Sequence, residues 1–285
     1  MSIKNTEEQR SYLVVQHNDF IRHPRTDKLT ARESNIAYFL ISKLKKGDKD
    51  FMKVSFTVSE FCRVCGDDAL SGNNYRGVKD ALKSLADKSV WAEVEKGRHR
   101  LIRWLDDIEI LDGSGMVTAI LSQTIKPYLL NLTEHFTQSE LRNYLALKSV
   151  YSKRLYELLR SYIHSKPEYA GRYIFTEFEI MDLKKRLNAE NYGRFKDFRV
   201  NVLERAKREI NAVSDMEMDF TPIKPGRMTT HVSFSIKLKN STDRLTSSVQ
   251  ADNTLDNKRR ISDMTYEQGT LSDDILGTDK PKKGR

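Results

Sequence analysis

The chain has 285 residues, with 49 Lys and Arg against 40 Asp and Glu for a net charge of +9. That length leaves room for two domains, and the balance favours a polyanionic partner. No apolar run approaches bilayer-spanning length and none follows Met1-Ser2-Ile3-Lys4, so neither a membrane anchor nor a signal peptide is expected, and the reading is a cytoplasmic protein.

Residues 1–10 are polar and are expected to be disordered, and Tyr12 to Gln16 is β-prone. Thr30, with Glu33 three residues on, makes a capping box for a helix striped by Ile36, Ala37, Phe39, Leu40 and Leu44 and stopped at Lys46-Gly47. Phe51 to Val58 alternates as a strand, and Ser59 caps a short helix through Phe61 and Val64. Cys62 and Cys65 on it have no second Cys or His pair to complete a zinc site, so they read as reduced thiols and no metal is expected. Asn73 or Asn74 caps the next helix, which buries Tyr75, Val78, Leu82 and Leu85 and turns Arg76, Lys79 and Lys83 outward. Two hairpins follow. Val90–Val94 and Leu101–Leu105 flank Lys96-Gly97-Arg98-His99-Arg100; Ile108–Leu111 and Met116–Leu121 flank Gly113 to Gly115. Helix, strand, short helix, basic helix and a hairpin with a basic tip make a winged helix.

The order then repeats. Thr137 or Ser139 caps a helix from Glu140 to about Ile163, Tyr173–Phe175 is a strand, and Thr176 caps a helix carrying Phe178, Ile180, Met181 and Leu183. A basic helix follows, with Phe195, Phe198, Val202, Ala206 and Ile210 on one face and Arg194, Arg205 and Arg208 on the other. Lys196 and Lys207 border these faces, and the phase of Arg199 sets it against the apolar one. A hairpin turns at Lys224-Pro225-Gly226-Arg227, between Met216, Met218, Phe220 and Val232, Phe234, Ile236, Leu238. The fold class is therefore α+β, with two tandem winged-helix domains over residues 11–131 and 132–240. Residues 241–285 are poor in aromatics and are expected to form a disordered tail ending in the basic run Lys280 to Arg285.

Catalytic chemistry is scarce. Gly72 to Lys79 has phosphate-loop glycine spacing, but Val78 holds the lysine position and Lys79 that of the magnesium ligand. The six histidines never pair as His-x-His, and Tyr144, Tyr151 and Tyr156 on an amphipathic helix read as core or interface residues. No enzyme and no cofactor is expected. One basic helix opposite an apolar stripe is usually a solvated face. Two of them, each in third position and each before a hairpin with Arg or Lys at its tip, point to double-stranded DNA, with helices in the major groove and wings on the backbone. The candidate contacts are Asn73, Asn74, Arg76, Lys79, Lys83, Arg98 and Arg100 in the first half. In the second they are Arg194, Lys196, Arg199, Arg205, Lys207, Arg208, Lys224, Arg227, Thr229, Thr230 and His231.

Tyr151-Ser152-Lys153-Arg154-Leu155-Tyr156-Glu157-Leu158-Leu159 resembles the helix opening the second domain of iteron-binding plasmid replication initiators of the theta-replicating class. Phe198-Arg199 with Val202-Leu203, Ala206 and Glu209-Ile210-Asn211 resembles that family's DNA-reading helix. Gly226-Arg227, Thr229-Thr230-His231 and Phe234 resemble its wing, and are close to the F-plasmid member there. That member has consecutive arginines after the Phe; this chain has Arg199, Val200 and Asn201, so only Arg199 carries over as a base reader. The resemblance covers about residues 10–240. It implies monomers on directly repeated origin sites, dimers joined through the first domain that repress the initiator's own gene and so take part in copy control, and recruitment of the host replication initiator and replicative helicase. A winged-helix transcription regulator without a replication role is the competing reading; a nicking or unwinding enzyme and a pure interaction module fit less well.

Overall fold

The computed structural model describes residues 3–24, 26–44, 53–67, 72–95, 97–163 and 171–275. The helix stop at Lys46-Gly47, the turn residue Lys96 and the run Lys280 to Arg285 lie outside them.

The chain opens with α1 (Ile3–Arg10), β1 (Leu13–His17) and α2 (Asn18–Arg22). Next comes α3 (Ala31–Ser42), whose capping box is formed: the Glu33 amide donates to the Thr30 hydroxyl at 3.3 Å, and the Thr30 amide donates to the Glu33 carboxylate at 2.6 Å. Then follow β2 (Lys53–Thr57), α4 (Val58–Val64), α5 (Gly72–Asp87), β3 (Ser89–Glu95), β4 (Arg98–Arg103), β5 (Leu105–Leu111) and β6 (Met116–Leu121). β2, β6 and β5 form a three-stranded antiparallel sheet, while β3 and β4 pair only with each other. Phe39, Phe56, Phe61, Val78, Leu82, Val117 and Leu121 fill the core between this sheet and its helices.

The second half begins with β7 (Phe136–Glu140), α6 (Leu141–Leu145) and α7 (Val150–Arg160). β8 (Ile174–Glu179) and α8 (Ile180–Leu187) lead to one continuous helix made of α9 (Phe195–Phe198), a π-turn (Arg199–Glu204) and α10 (Arg205–Val213). β9 (Met216–Ile223) and β10 (His231–Leu238) close the sheet in the order β8–β10–β9, repeating the topology of β2–β6–β5. Both halves therefore run helix, strand, helix, helix, strand, strand, with the β3–β4 hairpin inserted after the third helix of the first. They are joined by more than a linker. β7 pairs antiparallel with β1, from Leu13 opposite Glu140 to His17 opposite Phe136. Tyr38 of α3 stacks on Tyr144 of α6 and donates a hydrogen bond to Glu157 of α7. Arg154 of α7 donates to the carbonyls of Ile21 and His23, both at 2.8 Å.

Several expectations change. The helix expected from Glu140 to Ile163 is broken after Leu145 and restarts at Val150, because the Ser149 side chain caps the Tyr151 amide. The α4 cap is Thr57, not Ser59, and the α8 cap is Glu179, not Thr176, which lies in β8. Two stretches within the terminal segments pack on the fold. Residues 3–10 are helical, with Gln9 and Arg10 buried. α11 (Ser241–Ile275) follows β10, with Ser247, Ala251 and Leu255 buried. Their burial rests on charge pairing that hydrophobic composition does not register. Asp252 accepts from Arg10 at 3.4 Å and from Arg142 at 2.6 Å, Asp256 lies 3.0 Å from Arg10, and Lys258 pairs with Asp67. Gly66, at φ +70°, lets the α11 backbone approach; a Cβ there would meet the Leu255 carbonyl at 2.1 Å.

Candidate nucleic-acid interface

The α9–α10 helix shows why four-residue apolar steps can be held over three turns. Phe198, Val202, Ala206 and Ile210 are all fully buried. In a regular α-helix each such step drifts by ~40°. The π-turn takes up this drift and keeps the stripe on the core. It also corrects Arg199, whose side chain is 52% exposed and not set against the apolar face.

Arg194, Lys196, Arg199, Arg205 and Arg208 all lie on the exposed side of this helix, and Lys207 is half-buried. Arg194 pairs with Asp197 at 2.8 Å, Arg199 with Glu204 at 3.1 Å and Arg205 with Glu209 at 3.0 Å. Lys207 donates to Asp219 of β9 at 2.6 Å, and that contact holds the Asp219 carboxyl below the usual range.

Residues that sequence reasoning passes over set the helix in place. Lys184, buried in α8, donates to the carbonyl of Tyr192 at 2.5 Å and fixes the loop entering the helix. Asn211 donates to the Met218 carbonyl and accepts from the Met218 amide, tying the helix to β9. Glu209 accepts from the amides of Lys148 and Ser149 at the start of α7. Burial pushes its carboxyl up, but the Ser149 amide and Arg205 outweigh that and hold it below the usual range. The family-like run Glu209-Ile210-Asn211 is thus a positioning device. At the wing, Lys224 and Arg227 are exposed and Met228 is 78% exposed. Thr229, Thr230 and His231 are half-buried; the Thr230 carbonyl accepts from the Ile180 amide and its hydroxyl lies 2.9 Å from His231 Nδ1.

In the first domain, Arg76, Lys79 and Lys83 form an exposed row along α5, with Asn73 at its start. Asn74 is held by Arg32 Nη2 at 2.9 Å, and the α5 helix already begins at Gly72, so neither Asn is its cap. Arg32 is a residue that no sequence signal singles out. Its guanidinium crosses Gly77, where a Cβ would sit 1.9 Å from Nη1.

The first wing is a correction. By topology it is β5–β6, not the hairpin with the basic tip. Asp106, Asp107, Glu109 and Asp112 are exposed on it, and Asp112 accepts from Tyr75 at 3.0 Å and lies 3.7 Å from Lys79. Two consecutive hairpins satisfy the same turn rules, and the charge at the tip of β3–β4 points to the wrong one. Arg98 and Arg100 face instead into an open cleft of about 760 Å³ with His17, Arg22, His23 and Arg186.

Residues 13–160 match the family described as Initiator Replication protein, WH1, and residues 179–236 match Initiator Rep protein, WH2. The chain belongs to the initiator replication protein family. Among solved structures, the Pi initiator protein crystallised in complex with iteron DNA matches with a TM-score of 0.67 and 19% identity over 81% of this chain and 99% of that one, a likeness of fold. The WH1 domain of MSBI1.176, a replication protein isolated from a multiple sclerosis patient, matches at 19% identity over 35% of this chain and 79% of that one; its TM-score of 0.27 adds nothing to the assignment. No helix among the described residues of this initiator protein is long and apolar enough to cross a membrane.

Proposed function

We propose that this family member is a plasmid replication initiator that binds directly repeated origin sequences, iterons, as a monomer and so starts theta replication. The observation that carries the reading is the α9–α10 helix. Five basic side chains line its exposed side, Phe198, Val202, Ala206 and Ile210 of its apolar stripe are fully buried, and the wing with Lys224 and Arg227 stands beside it. Such a helix enters the major groove while the wing holds phosphates. The fold shared with a protein crystallised on iteron DNA supports the same reading.

In this mechanism the second domain specifies and the first mainly positions, through Arg76, Lys79 and Lys83. Binding on adjacent repeats opens a neighbouring A·T-rich duplex without catalysis by the protein, and the host replication initiator and replicative helicase are recruited there. A dimer formed through the first domain represses the initiator's own gene. Footprinting of the full chain on tandem repeats against a shuffled duplex tests the core of this. Protection confined to the repeats is expected, and equal occupancy of shuffled DNA rejects it. Sedimentation of the complexes on direct and inverted repeats checks the monomer and dimer assignments.

A further inference from the structure

The β3–β4 hairpin belongs to neither three-stranded sheet. Arg98, Arg100 and Ile102 alternate onto one of its faces. Ile102, opposite the buried Val90, joins the hydrophobic core and anchors that face. Arg100, opposite Ala92, carries the face outward over a cleft floored by Pro127 and Tyr128.

The opposite wall comes from elsewhere in the chain. His17, Arg22 and His23 come from its start, and Arg186 from α8 of the second domain. Arg22 is fixed by hydrogen bonds to Ser161 and by its position 4.2 Å over the Tyr162 ring. Arg186 is fixed by Asp182 at 2.7 Å and by the Arg22 carbonyl. Asp19, 3.5 Å from His17, is the one carboxylate residue lining this cleft among the described residues. The cleft therefore concentrates positive charge across the domain junction, and two of its arginines are already immobilised. The first wing, which would ordinarily hold phosphates, carries exposed carboxylates instead.

We propose that this cleft is a phosphodiester-binding site. A nucleic-acid backbone lies along it, with Arg98 and Arg100 as its phosphate contacts from the hairpin, and the inserted hairpin takes the role that the acidic wing cannot fill. The proposal rests on the DNA-binding reading above and extends it to a second contact region. The same chemistry can be offered by duplex flanking a repeat or by a separated strand, and the Tyr128 and His17 rings give an unpaired base a surface to pack on.

The test uses the full chain, the double variant Arg98→Ala/Arg100→Ala and the charge-preserving Arg98→Lys/Arg100→Lys. Fluorescence anisotropy with labelled oligothymidylate, a repeat duplex and a shuffled duplex is followed from about 50 to 200 mM salt. The alanine pair is expected to flatten the log–log salt slope by about 0.9 for each phosphate no longer neutralised on duplex, or about 0.7 on single strand, and the lysine pair to restore it. A change confined to one probe identifies which form occupies the cleft. Unchanged slopes on every probe overturn the proposal. If the alanine pair does not fold, Arg100→Gln alone is measured in its place. Preference of the unmodified protein for repeats over shuffled DNA is read in the same experiment. Loss of that preference with a flattened slope rejects the iteron reading and keeps the cleft; the reverse rejects the cleft alone.

Discussion

Arg199 Nη2 lies 3.1 Å from the Glu204 carboxylate, five residues further along the same helix. A regular α-helix brings residues three or four apart together, and only the π-turn stacks residues five apart. The turn thus swings Arg199 away from the core and gives it a carboxylate to leave when a better acceptor arrives. Arg199→Ala is expected to cost about 1–3 kcal/mol on the cognate repeat, the value of a bidentate guanine contact, and much less on random DNA. Affinities on both DNAs and a thermal melt of the same variant decide it. Equal losses on both, with a lower Tm, assign Arg199 a structural role.

Lys79 and Lys83 are expected to act on every sequence alike. Replacing both with Ala should weaken repeat and random DNA together and reduce the salt slope by about 0.9 for each phosphate left without its lysine. Asp112→Asn removes the carboxylate 3.7 Å from Lys79. It should strengthen binding to random DNA; a weakening would show that Asp112 serves the interface by holding α5.

α11 is expected to contribute stability unevenly along its length. Arg10 is 2% exposed, Asp252 18% and Asp256 53%. Asp252→Ala should cost about 2–3 kcal/mol, below the ~3–5 of a fully isolated buried charge because Asp256 remains. Asp256→Ala should cost under about 1 kcal/mol. Gly66→Ala should resemble Asp252→Ala, since its Cβ displaces the Leu255 backbone. Urea titrations rank the three, and a larger loss for Asp256 than for Asp252 contradicts the assignment.

Lys153 makes stability depend on pH. Its ammonium is buried, donates to the Tyr144 carbonyl at 2.5 Å and lies 4.4 Å from the Tyr144 ring centroid. Burial pushes its pKa down from 10.5 to about 7. Between these values the unfolded chain binds the extra proton, so the contribution of Lys153 to stability rises with pH by about 1.4 kcal/mol per unit and is lost as pH falls toward 7. The stability gained by Lys153→Met is therefore expected to be largest at or below pH 7 and to shrink above it. Denaturant titrations of both proteins across that range check the sign, and a gap that widens with pH refutes it.

The second winged helix is legible in the sequence because each of its signals is local: alternation in β9 and β10, an apolar stripe, a Pro-Gly turn. The Thr30–Glu33 cap is legible for the same reason. The π-turn at Arg199 is not, since a phase error of one residue looks like a misplaced side chain until the backbone is known. The packing of the start of α11 is not legible because it depends on Arg10 and Arg142, distant in sequence, and charge pairing leaves no mark on mean hydropathy. The first wing is hidden between two hairpins that obey the same turn chemistry; strand order, a long-range property, separates them.

The contact between Arg10 and Asp256 spans 246 residues of sequence. At ~5–20 residues per second, a ribosome takes on the order of 12–50 seconds to make the second after the first. Throughout that interval Arg10 has no carboxylate from α11 to meet, and the face formed by α1 and α4 waits open. A nascent chain can complete α5 and the α9–α10 helix before that face is covered. The helix from Ser241 is thus the last described element that can bury Arg10, and a polypeptide abandoned before it leaves that guanidinium in water.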